Sequence, residues 1–140
     1  MIFGNMDAFD LSQIIEARAQ SGQLYHEFIR SEHLSTGLYY LAAGSVDSQQ
    51  PHTEDEIYYV IKGVGCIQVG EEDRLVKEGS TIFVAKDEKH RFHTITEALT
   101  ILVVFAPPRR SILVSQPMQN ERSEPVCGFK SRAGFKKSRL

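Results

Sequence analysis

The sequence predicts one all-β domain, a sandwich or barrel led by a single helix. Three observations carry that expectation. From Tyr25 onward, runs rich in Val, Ile, Thr, Tyr and Phe recur at intervals of roughly ten residues. Gly, Asp, Glu and Lys turn chemistry separates these runs, and no second convincing helix interrupts them. At 140 residues, 41% of them hydrophobic, the chain is long enough for one domain with a full core and too short for two ordinary ones.

The elements follow in order. Asp10 stands where it can cap the helix "LSQIIEARAQ", with Gln13 at the capping-box position and Leu11, Ile14 and Ile15 on one side. Gly22, with Ser21, ends it. The β-rich runs are "LYHEFIR", "TGLYYLAA", "EIYYVIKG", "GCIQVG", "RLVKEG", "TIFVAK", "HRFHTI" and "ALTILVVFAPP". Pro107-Pro108 closes the last, and "SILVS" at 111–115 would add an edge strand or pair with another subunit. Short strands without intervening helices indicate a sandwich or barrel, and periodicity leaves an immunoglobulin-like sandwich, a lipocalin and a jelly roll open. The chain divides into a helix and leading strand (1–35), a β core (36–108), a candidate edge strand (109–116) and a flexible basic tail (117–140).

Charge is divided unevenly. Residues 1–116 hold 10 Lys+Arg against 16 Asp+Glu, giving −6; residues 117–140 hold 6 against 2, giving +4. An acidic body argues against a nucleic-acid-binding face, and a basic tail of low apolar content reads as a solvated segment. No apolar run approaches the roughly 20 residues that span a bilayer, and the N-terminal segment is not patterned as a secretory signal. Cys66 and Cys127 form no CxxC or disulfide framework, so a cytoplasmic protein with reduced thiols is expected.

The chemistry is concentrated in "QPHTEDEIYYVIKG", residues 50–63, where three acids lead into an apolar strand. Carboxylates at the mouth of a core strand cost desolvation energy unless something positive compensates them. On an extended strand Gln50 and His52 would share a face. "TED" would then turn the chain, so that Glu56 begins a strand beside Tyr58 and Val60. His90 opens another run, with Phe92 and Thr94 on its face. If these strands are neighbours, His52, Glu56 and His90 converge, and two imidazoles with one carboxylate are a donor set for non-haem Fe(II) and related ions.

The spacing points to a family. One segment runs Gly44, five residues, Gln50, one residue, His52, three residues, Glu56, six residues, Gly63. A second runs Gly79, five residues, Ala85, one residue, Asp87, two residues, His90, three residues, Thr94. These resemble the two signature motifs of the cupin superfamily, and the resemblance covers roughly residues 36–106. Gln50 replaces the first motif histidine, and Ala85, Asp87 and Thr94 replace the Pro, Gly and Asn of the second motif. The resemblance implies a single-domain cupin jelly-roll β-barrel (a double-stranded β-helix). It also implies a divalent metal ion, Fe, Mn, Ni or Zn, held by His52, Glu56 and His90. Gln50 would give a fourth neutral oxygen ligand or orient a bound water. A His-Glu-His set lacking the first histidine is also similar to that of the cupin-type phosphonate epoxidase, an iron enzyme.

The expected function is a metal-dependent enzyme acting on a small polar molecule, with dioxygenase or oxidase chemistry first and Tyr58 and Gln50 as catalytic candidates. A cupin isomerase or lyase is the first alternative, and a non-catalytic small-molecule or metal-binding module the second. The expected partners are a small-molecule ligand or substrate and a second copy of the chain in a homodimer, with no nucleic acid or membrane. Glu54 and Asp55 read as solvated turn residues, His93 as a structural residue on the face opposite His90, and Cys66 as a small apolar strand residue.

Overall fold

The computed structural model describes residues 6–110. Helix α1 (Leu11–Ser21) precedes six strands: β1 (Tyr25–Arg30), β2 (Ser35–Leu41), β3 (Asp55–Val69), β4 (Glu72–Lys77), β5 (Thr81–Val84) and β6 (His90–Ala106). The strand order is β1-β2-β6-β3-β4, with β5 pairing β3 and all pairings antiparallel. This mostly β, antiparallel architecture with one short helix is that of a jelly roll. The segment "SILVS" and the basic tail at 117–140 lie outside the described residues.

The helix begins and ends where its sequence signals it. Asp10 is the N-cap by backbone angle, but its side chain makes no cap bond; the Asp10 carbonyl instead receives the amides of Gln13 and Ile14. Gly22 closes the helix at φ 70°, in the left-handed region where glycine carries no Cβ penalty. Only Ile14 of its apolar residues is buried, and Leu11 and Ile15 remain exposed.

The strands are fewer and longer than the sequence suggests. "EIYYVIKG" and "GCIQVG" are one continuous strand, β3, and "HRFHTI" and "ALTILVVFAPP" merge into β6. Gly63 and Gly65 lie inside β3, along its irregular pairing with β6, whereas Gly70 and Gly79 lie in turns. Along β3 and β6 the register shifts between Val60 and Lys62, Lys62 and Val64, and Val64 and Cys66. A β-bulge of this kind bends both strands and lets them wrap around one core. Gly63 makes the close approach possible: at φ 105°, a Cβ there would come 2.2 Å from the backbone oxygen of Ala98.

The core fills the interior of that wrap. Tyr39, Leu41, Tyr58, Val60, Ile67, Val76, Val84, Phe92, Ile95, Leu99, Ile101, Val103 and Phe105 form one buried cluster. Along the approach to β3 and its first half, burial alternates strictly: His52, Glu54, Glu56, Tyr58 and Val60 point inward, and the residues between them outward. The polar members of this series lie toward one end of the barrel and the apolar ones toward its centre. Cys66 is also buried, on β3, the small strand residue expected there.

Gly63→Ala tests the bulge. Overpacking against a backbone atom at positive φ should cost about 3 kcal/mol, seen as a lowered denaturation midpoint. Gly22→Ala, where nothing lies within 4 Å, should cost only about 1 kcal/mol from the left-handed backbone. Equal losses would remove the close-packing role of Gly63.

Candidate metal centre

Three elements bring the site together. The loop after β2 carries Asp47, Gln49 and His52, the start of β3 carries Glu56 and Tyr58, and β6 begins with His90. In the second motif, Asp87 stands where the family pattern has glycine, and it adopts φ 63°, a conformation that glycine favours. Its amide donates to the His52 carbonyl over 2.7 Å, which fastens the His90 turn to the loop bearing His52.

His52, Glu56 and His90 are all buried, and one potential ligand atom from each lies within 4.8 Å of the others. The two imidazole rings are 5.4 Å apart by centroid. His90 Nε2 approaches Glu56 Oε1 to 2.8 Å, but the contact lacks hydrogen-bond geometry. Both Glu56 carboxylate oxygens and His90 Nε2 are therefore buried without a hydrogen-bond partner among the described residues. Leaving such atoms bare inside a protein is costly, and ionised groups cost more than neutral ones. Two imidazole nitrogens and a carboxylate fit a divalent cation, and a cation would satisfy all three orphaned atoms at once.

The histidines are oriented by their other contacts. His90 Nδ1 lies 2.8 Å from the carbonyl of Glu88, so this nitrogen donates and Nε2 keeps its lone pair toward Glu56 in the neutral ring. Burial opposes a charge on His90, but the Glu56 carboxylate, the Glu88 carbonyl and Asp47 outweigh it and raise its pKa above the ordinary 6.5. Burial dominates for His52 and lowers its pKa, so that ring is held neutral.

The glutamine at the site is Gln49, not Gln50. Gln50 is exposed, whereas Gln49 Oε1 lies 3.0 Å from His52 Nε2 and accepts the Tyr58 hydroxyl over 3.2 Å. The expected shared face of Gln50 and His52 required a pleated strand, and residues 43–54 form none. Asp47 sets the Gln49 amide. Its Oδ2 accepts Gln49 Nε2 at 2.8 Å and the Phe92 amide at 2.9 Å, and its Oδ1 accepts the Tyr39 hydroxyl at 2.9 Å and the Gln49 amide at 3.3 Å. With its nitrogen committed to Asp47, Gln49 presents its oxygen to His52 and Tyr58. Burial raises the Asp47 pKa, against the hydrogen bonds from Phe92, Gln49 and Tyr39.

Glu54 also departs from expectation. It is 1% exposed, because the inward alternation begins before β3 does. Its Oε2 accepts Thr53 Oγ1 at 2.7 Å, and its Oε1 accepts the backbone amide of Arg110. Asp55 faces outward as expected and receives the Lys86 amide. His93 lies away from the three ligands, with Nε2 at 2.7 Å from Asp73 and Nδ1 at 3.0 Å from Thr94 Oγ1.

Comparison with known proteins agrees with this fold. The family model for the cupin domain matches residues 37–105. An uncharacterised protein of Streptomyces coelicolor is 45% identical over 103 residues, covering 74% of this chain and 98% of that relative. The chain belongs to the cupin superfamily. Solved structures with the same fold include TT1209 of Thermus thermophilus, which is 25% identical with a TM-score of 0.58, covering 74% of this cupin and 99% of that chain. Another is an RmlC-like cupin family protein with a double-stranded β-helix fold from Methanocaldococcus jannaschii. It is 21% identical with a TM-score of 0.55, covering 59% of this cupin and 78% of that chain. No helix among the described residues is long and apolar enough to cross a membrane.

Two outcomes are expected of the site. His52→Ala, Glu56→Ala or His90→Ala should each remove near-stoichiometric divalent metal, while His93→Ala retains it; elemental analysis of the purified variants decides this. Metal uptake should also displace a proton. Below the raised His90 pKa the metal-free ring carries a proton, while His52 is already neutral in that range. Affinity should therefore fall by about one log unit per pH unit below that value and level off above it. Titration of the metal-free protein between about pH 5.5 and about pH 8.5 measures the slope, and a flat profile would contradict a proton on His90.

Proposed function

We propose that this cupin is a metal-dependent enzyme acting on a small polar molecule, with oxidase or dioxygenase chemistry. The observation that carries the proposal is the buried, unsatisfied set of Glu56 Oε1, Glu56 Oε2 and His90 Nε2 beside His52. His52, Glu56 and His90 would hold the cation, with Gln49 Oε1 adjacent in the place that the sequence assigned to Gln50. Held by these residues, Fe(II) would supply dioxygen activation and polarisation of substrate oxygens.

The protein's own residues define how a substrate would be treated. Tyr58 is 0% exposed, and burial together with the Glu56 and Asp47 charges holds its hydroxyl protonated well above the ordinary range. It is thus suited to donate a hydrogen bond or a proton, and unsuited to act as a base. Its hydroxyl donates to Gln49 Oε1, an uncharged acceptor that holds it less strongly than a carboxylate would. Asp47 and Gln49 act through Tyr58 and His52 as positioning residues. The apolar walls contributed by Phe92 and Phe105 keep water from the reacting atoms.

Two further expectations join the proposal: the substrate is a small soluble molecule, and the working form is a homodimer, which light scattering of the full chain would test. The rival chemistry is isomerisation or elimination with Mn, Ni or Zn in the same site. A base would then be required, and the protonated state of Tyr58 speaks against it in that role.

Protein purified without metal-affinity steps should contain a divalent ion, and its Fe(II)-loaded form should consume O₂ in the presence of small hydroxy or oxo acids. Tyr58→Phe should lower kcat by roughly 10²-fold or more while metal content is unchanged. No O₂ uptake across such substrates, together with turnover by the Mn- or Ni-loaded protein, would move the assignment to the isomerase or lyase class.

A further inference from the structure

Next to the metal centre lies a second group of polar atoms that the proposed chemistry does not use. The ring of Phe105 is the common floor: His52 packs edge-on at 5.2 Å and Tyr25 edge-on at 6.0 Å, and the Arg109 guanidinium stands 5.9 Å from it. The same guanidinium lies 4.7 Å above the ring of Tyr25. The Tyr25 hydroxyl and Arg109 Nε are both buried without a hydrogen-bond partner among the described residues. Two unpartnered polar groups, one of them cationic, therefore lie around the Phe105 ring on which His52 also packs.

Both donors are held in place. Tyr25 lies across its neighbouring strand at Gly37, where a Cβ would come 2.2 Å from the ring. Arg109 is fixed through its backbone, its amide donating to Ser35 Oγ at 2.9 Å and its carbonyl accepting Arg30 Nη1 at 3.1 Å. A guanidinium stacked on an aromatic face is positioned without losing its in-plane donors. Its field reaches the metal centre: Arg109 lowers the proton affinity of His52, and it is itself influenced by Glu54 and Glu56.

We propose that Arg109 and Tyr25 form a carboxylate-binding subsite, so that the substrate of the neighbouring centre is a small monocarboxylic acid. The proposal builds on the reading of His52, Glu56 and His90 as a metal site and narrows its substrate class. Guanidinium and hydroxyl donors match the two oxygens of a carboxylate, whereas a phosphate dianion would bring a second charge toward Glu27, Glu54 and Glu56, which all act on Arg109. An uncharged ligand would leave the Arg109 donors without a strong acceptor.

The test is calorimetric titration of the full-length Mn(II)-loaded protein with glycolate, lactate and pyruvate, with glycolamide and lactamide, and with inorganic phosphate. At least one of the carboxylates should bind the parent, more tightly than its amide and more tightly than phosphate. Arg109→Gln should weaken that carboxylate by about tenfold or more, and Tyr25→Phe by about fivefold, with amide binding unchanged. Arg109→Lys should fall between, since charge is kept and the planar fork is lost. Manganese content and melting temperature, measured on each variant, should equal those of the parent, so loss of the metal reading would show separately as a parent without bound Mn(II). The subsite is overturned if no carboxylate binds, if amides or phosphate bind as tightly, or if both Arg109→Gln and Tyr25→Phe bind the acids like the parent. Tyr25→Phe leaves the guanidinium and its backbone anchors untouched, so the subsite remains testable even if an Arg109 variant is unstable.

Discussion

A carboxylate and an imidazole buried 2.8 Å apart, without hydrogen-bond geometry between them, are the constraint around which this protein is arranged. Burial of Glu56 and His90 costs several kcal/mol per ionised group unless a partner meets them. A divalent cation is such a partner, and its binding free energy would then contribute to the stability of the fold. The elements that bring these groups together are β3 and β6, the two longest strands, which pair along nearly their whole length. Their register places Glu56 opposite Phe105, and the bulged stretch near Gly63 bends both strands around the core.

Around the three ligands the protein spends hydrogen bonds on orientation. Asp47 accepts four, from Tyr39, Phe92 and both nitrogens of Gln49, and is well satisfied for a buried carboxylate. The result is a chain of fixed directions, Asp47 to Gln49 to His52 and Tyr58. Networks of this kind rigidify a site when every member is satisfied.

The site has two electrostatic halves. On one side Glu56 and His90, with His52, form a set that a cation would complete, and on the other Arg109 and Tyr25 present donors to a negative group. Phe105 separates and supports both, touching His52, Tyr25 and Arg109. This polarity within a few ångströms orients a ligand that is itself polarised, which is the use a small functionalised acid would make of it.

The sequence by itself determined the class of fold, the helix from Leu11 to its Gly22 stop, and the three residues that converge. Those features rest on local pattern: β-rich runs, a capped helix, and the spacing of His52, Glu56 and His90 between motif glycines. It did not determine strand number, because glycine within a long bulged strand and glycine in a turn look alike until the pairing partner is known. Nor did it find Asp47 and Gln49, which lie in a loop without periodicity. The choice of Gln50 assumed a strand face that Pro51 and its neighbours do not form. Glu54 looked solvated because three consecutive acids suggest a surface turn, yet the inward alternation carries Glu54 and Glu56 into the core and leaves Asp55 outside. Arg109 and Tyr25 are far apart in the chain and belong to no motif. Only the closure of β1, β2 and β6 into one wall brings them against the same phenylalanine, since the side-chain neighbours of a barrel interior are set by strand pairing and not by sequence distance.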